Sequence, residues 1–228
     1  MGALTAVGRY SLSMAFIDLL KQLLQGDSDD IVTEDVARGV ELRETLNDNP
    51  NDIGSFQELS ELVNDAARER ATVEDPLTAD HDDTGPESQA ELAMWSLAEE
   101  LSAKPSAWYP LIELARLSVD SDYEGANRRL TTAVQRDDTG RALGEAIKVL
   151  RGADLADAGM ALGIGHWDPE KQKFAAGEQL ILAAIDAKRP DEARRFLTTL
   201  KEYAKTGEHE DRVAFLASLI ERASNETE

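Results

Sequence analysis

The residues best suited to chemistry in this chain sit in two short stretches. The first, DHDDTGPESQAE from Asp80 to Glu91, has Asp at the first and third, Gly at the sixth and Glu at the twelfth position of a calcium loop. Carboxylates are the right ligands for that hard cation. Thr84 at the fifth position, Glu87 where such loops carry an apolar residue, and Pro76 in the entering segment all depart from the pattern, so no metal is expected. The second stretch, GIGHWDPE from Gly163 to Glu170, reads as a loop. It lacks the third glycine of a dinucleotide fingerprint and no strand precedes it. It does gather His166, Trp167 and Asp168, which would line a pocket if the chain were an enzyme or a small-molecule sensor. Trp167 reads first as a packing anchor, because large aromatics dominate burial.

Other chemistry is thinly provided. The chain contains no cysteine, which excludes disulfides, thiolate catalysis and cysteine-ligated zinc. His81, His166 and His209 are scattered, and HEDRV at His209 lacks the second histidine of a zinc-protease helix. Glu99 and Glu100 are adjacent, but paired carboxylates are ordinary in so acidic a chain, and no spacing of Ser and His marks a nucleophile. The expectation is a protein that is not an enzyme and carries no cofactor.

Charge is the stronger signal. The 228 residues hold 45 Asp and Glu against 24 Lys and Arg, a formal net charge of -21. Residues 1–100 contain 23 acidic and 6 basic residues, a balance of -17, and the remainder 22 and 18, a balance of -4. Such a field repels nucleic acid and anionic lipid, so neither direct nucleic-acid nor membrane binding is expected. It suits a protein partner with a basic surface or segment.

The elements that must position these residues are helical. Apolar residues recur at three and four, and alternating strand patterns are scarce. MAFIDLLKQLLQGD from Met14 opens an amphipathic helix with Phe16, Leu19, Leu20, Leu23 and Leu24 on one stripe. Residues 1–13 read as a tail, without the apolar run of a signal or spanning segment. Two further helices flank Pro50, the second with a stripe of Phe56, Leu59, Leu62, Val63 and Ala66. The pattern predicts three sections: an acidic helical section over 1–71, a linker over 72–87 rich in Asp, Pro and Gly, and a helical section over 88–228.

SDYEGANRRLTTAVQRDDTG, Ser121 to Gly140, has a shorter echo in RPDEARRFLTT from Arg189. Ser121 and Glu124 have capping-box spacing, and the buried stripe reads Tyr123, Ala126, Leu130, Ala133 and Val134. In the echo, Pro190 suits the first helical position and Ala193, Leu197, Leu200 and Tyr203 form the stripe. DDTG occurs twice, at Asp82 and at Asp137, each time before a predicted helix. Arg128 with Arg129, and Arg194 with Arg195, occupy matching places and read as exposed cations neutralising local acids, or as a grip on the acidic N-terminal section.

Trp108 with Leu111, then DYEGA with Ala126 and Ala133, then Asp137, resembles a degenerate tetratricopeptide repeat. Asp138 replaces its Pro and Ile112 its Gly. The resemblance implies an all-α fold of antiparallel helix pairs stacked as a short solenoid, and a non-catalytic scaffold or adaptor in protein–protein interaction. A carboxylate clamp of the kind some members use is not expected, because Tyr109 and Glu113 replace its basic residue and Asn. The partner groove is expected near Trp108, Tyr109 and Glu113, with Arg128 and Arg129 contributing, in a cytoplasmic protein. An acidic mimic of nucleic acid is the third reading.

Overall fold

A computed structural model describes residues 29–73, 85–203, 207 and 209–225, together with Phe16. Among these residues the secondary structure is all α-helix, with no strand. In chain order the helices are α1 (Asp29–Asp48), α2 (Ile53–Val73), α3 (Pro86–Ser102), α4 (Tyr109–Ser118), α5 (Tyr123–Gln135), α6 (Arg141–Gly152), α7 (Ala156–His166), α8 (Phe174–Asp186), α9 (Pro190–Tyr203) and α10 (Glu210–Asn225). No helix among the described residues is long and apolar enough to cross a membrane. Most of the first predicted helix and all of residues 74–84 lie outside the described set, although Phe16 is helical and fully buried.

The chain divides into two compact units between Leu117 and Ser118. The stretch expected to separate the sections therefore falls inside the first unit, where α2 and α3 pack on one another and α1 packs on α2. The reason lies in the stripes that face each other. Phe56, Leu59, Val63 and Ala67 on α2, and Ala90, Ala93, Leu97 and Leu101 on α3, are all within 1% of complete burial. At about 25 cal/mol per Å² of apolar surface, that match outweighs any tendency of a polar connection to part the two helices.

Asparagine and aspartate fix the corners of the first unit. Asp52 accepts the backbone N–H of Ser55 at 2.9 Å, capping α2. Asn51 reaches the start of α4: its Oδ1 accepts the N–H groups of Trp108 at 2.8 Å and Tyr109 at 3.0 Å, and its Nδ2 donates to the Ser106 carbonyl at 2.8 Å. A residue fifty-odd positions away thus supplies an acceptor for two N–H groups that the start of a helix leaves open. Arg43 and Glu100 form a largely buried pair at 3.1 Å between α1 and α3.

In the second unit α6, α7 and α8 pack mutually, α9 packs on α8, and α10 lies against α8 and α9. The two echoed helices bury Ala126, Leu130, Ala133 and Val134 on α5, and Ala193, Leu197 and Leu200 on α9, as the spacing predicts. Their tyrosines do not follow: Tyr123 is 42% and Tyr203 47% exposed. Tyr123 opens α5 and Tyr203 closes α9, so each stands at the end of its stripe. The α5 cap is Asp122, one residue after the predicted Ser121, with Asp122 Oδ1 accepting the Gly125 N–H at 2.9 Å. The second DDTG phrase ends at Gly140, directly before α6, and Asp137 Oδ2 accepts the Ala142 N–H at 2.8 Å.

Candidate functional site

The residues expected to line a groove are instead part of the first unit's core. Trp108 is 4% and Tyr109 1% exposed. The Tyr109 ring meets Trp108 edge-on at 5.6 Å and Phe56 at 5.5 Å, so the aromatic faces are consumed by packing. The Glu113 side chain is only 14% exposed and pairs with Arg116 at 3.3 Å. Arg128 and Arg129 lie in the second unit and engage local acids, Glu124 at 3.9 Å and Asp122 at 4.0 Å, while Arg129 also donates to Ser118 Oγ at 3.1 Å. Arg194 likewise pairs with Asp191 at 2.6 Å.

The GIGHWDPE stretch is helix in its first half. Helix α7 runs to His166, and only Trp167 onward is loop. Gly163 belongs there because a Cβ at its position would lie 2.6 Å from Leu180 Cδ1 on α8. The absence of a side chain lets the two helices approach. Trp167 packs beside Gly177, where a Cβ would lie 2.7 Å from the indole, and meets Phe196 edge-on at 6.3 Å.

A pocket of about 730 Å³ opens beside this loop in the second unit. Trp167, Phe174, Leu200, Tyr203, His209 and Arg212 are among its walls; His166 and Asp168 are not. His166 is exposed at the end of α7, and its carbonyl accepts from Gln172 Nε2 at 3.1 Å. The pocket is braced by its own partners. His209 stacks on Phe174 with ring centroids 4.1 Å apart, and Arg212 Nε donates to Glu178 at 2.6 Å. Lys171 Nζ donates to Asp168 at 2.7 Å, a hydrogen bond that holds the Asp168 carboxyl below the usual carboxylate range and raises Lys171. Tyr203 is raised above the usual phenol range, first by the negative charge of Glu170, then by burial and a hydrogen bond with the same carboxylate. Asp80 and Asp82 of the calcium-like phrase lie outside the described residues, and its Glu87 and Glu91 stand on α3.

In the first unit the arginines of α1 and α2 are engaged, while many carboxylates are not. Arg38 is held by Glu41 and Glu58, Arg43 by Glu100, and Arg68 by Asp65, and Arg70 is likewise engaged. Glu34, Glu44 and Asp48 on α1, Glu61 on α2, and Glu87, Glu91 and Glu99 on α3 are exposed and pair with no cation among the described residues. Sequence reading located the charge but not this surface, because which carboxylates are spoken for depends on contacts between helices.

The geometry therefore defines an all-helical protein of two compact units, the first acidic and the second holding an aromatic pocket. In comparisons with known proteins, no family model matches this chain, and neither a curated protein nor a solved structure does.

Proposed function

We propose that this chain is a non-catalytic protein-binding scaffold or adaptor, acting in the cytoplasm, whose acidic first unit takes up a basic segment of a partner. The observation that carries the reading is the set of exposed carboxylates on α1, α2 and α3 that pair with no cation among the described residues, beside arginines that are already engaged. An unneutralised surface of one sign raises the rate and the specificity of association with the opposite sign. Packing of α1 on α2 and α2 on α3 in the first unit, and of α5 to α10 in succession in the second, suits a tetratricopeptide-like stack, a scaffold used for protein binding.

A Lys- and Arg-rich peptide titrated onto the full chain tests it. Binding should weaken steeply with added salt. It should also fall when Glu44, Glu61 and Glu91 are all changed to Lys, and hold when Glu202, Glu210 and Glu221 of the second unit are changed instead. Equal affinity for an acidic peptide of the same length would refute the reading.

The pocket beside Trp167 supports a second reading, a small-molecule sensor or enzyme. A compound that raises the unfolding temperature of the chain, and no longer does so for Phe174→Ala, would favour it over the first.

A further inference from the structure

Helix α3 presents an outer ridge that joins carboxylates to an exposed leucine. Glu87, Glu91, Trp95 and Glu99 follow at every fourth position, the spacing that stacks side chains along one helix face. Leu92 stands three residues before Trp95 and is 54% exposed, and Trp95 is half-buried. The ridge is thus an apolar centre with carboxylates before and after it. Its opposite face, through Ala90, Ala93, Leu97 and Leu101, is wholly within the core.

The charges on this ridge are placed against local stability. No basic residue occurs on α3, so Glu87 and Glu91 repel across one turn with nothing between them. Glu99 and Glu100 both stand in the last turn, where the negative end of the helix disfavours carboxylates. Arg43 compensates Glu100, whereas Glu99 pairs with no cation among the described residues. A cation from outside the chain would relieve all three.

We infer that this ridge docks a basic amphipathic helix of a partner protein, with Leu92 and Trp95 meeting its apolar residues and Glu87, Glu91 and Glu99 its cations. The inference rests on the basic-segment reading above and gives it a location and a ligand conformation. From Glu87 to Glu99 the ridge spans twelve steps, about 18 Å at the α-helical rise, which three turns of a facing helix cover. Lys or Arg at every third or fourth position of that helix would meet the row. The apolar centre is what separates this site from general acidity: it discriminates among basic segments by their hydrophobic face.

The test uses the full chain and two synthetic peptides of equal length and equal positive charge. One is helical and amphipathic with leucines on its basic face, and the other has the leucines replaced by serine. Calorimetric titration should give at least ten-fold tighter binding for the amphipathic peptide. Leu92→Ser and Trp95→Ala should each remove most of that difference, while leaving the weaker binding of the serine peptide in place. Leu92→Ser alone supplies this readout should Trp95→Ala fail to fold, and Glu91→Lys with Glu99→Lys, both exposed, should weaken the binding of both peptides. Two results overturn the site. If both peptides bind equally and the α3 variants change nothing, the ridge is wrong and the broader acidic reading stands. If neither peptide binds, that reading fails as well.

Discussion

The side-chain oxygen of Asn51 accepts the backbone N–H of Trp108 at 2.8 Å, joining the turn between α1 and α2 to the start of α4. The same oxygen serves Tyr109, so one amide satisfies two donors that the helix start leaves open. Asn51→Ala should therefore lower the stability of the full chain by about 1–3 kcal/mol, the cost of stranding part-buried donors. Asn51→Asp keeps the acceptor and should recover most of that loss. Urea unfolding of the two variants checks this.

Gly177 lets α8 lie close against the Trp167 indole. A methyl group there would lie 2.7 Å from the Trp167 indole and 2.8 Å from Leu200 Cδ1. Gly177→Ala should cost about 1–3 kcal/mol through overpacking and displace Trp167. Tryptophan emission, compared with a Trp167→Phe background, should report the displacement.

Charge on α3 gives a prediction of opposite sign. Glu99→Lys places a cation at the helix end and removes an unpaired carboxylate, and should stabilise the chain by about 0.3–1 kcal/mol at low salt. The gain should shrink as salt is added. A destabilised Glu99→Lys would show that the carboxylate is already satisfied in the free protein.

Two pH responses follow from the loop beside the pocket. The Asp168 carboxyl is depressed by Lys171, so its contribution is present above the ordinary carboxylate range and is lost as pH falls through the lowered value. Tyr203 is raised by Glu170, so its contribution is present below the ordinary phenol range and is lost as pH climbs through the raised value. In an ultraviolet titration read against a Tyr203→Phe variant, Tyr203 should ionise above the ordinary phenol range, and Glu170→Gln should bring it back.

What the sequence made legible was local. Helical periodicity predicts the buried rows of α2, α5 and α9, because those rows repeat at the period of the element itself. The role of Trp108 was not legible in this way. An aromatic at a helix start looks the same whether it lines a groove or meets Phe56 and Tyr109, and only the partner helices decide. The GIGHWDPE stretch misled for a related reason: its glycines read as loop, yet Gly163 is required by the approach of Leu180. The ridge of α3 was legible in principle, since Glu87, Glu91, Trp95 and Glu99 keep a four-residue spacing in SQAELAMWSLAEELS and the residues before it. What the sequence could not give was which acids the first unit's arginines leave over.

Helix α10 is held differently from its neighbours. It buries only Leu216 and Ile220, and otherwise depends on the Arg212–Glu178 pair, the contact of Arg194 with Ser224, and the His209–Phe174 stack just before it. Contacts of that kind weigh little in water. The last helix is thus the segment most easily peeled from the second unit, and it would offer a protease its first foothold while α6 and α8 remain shut.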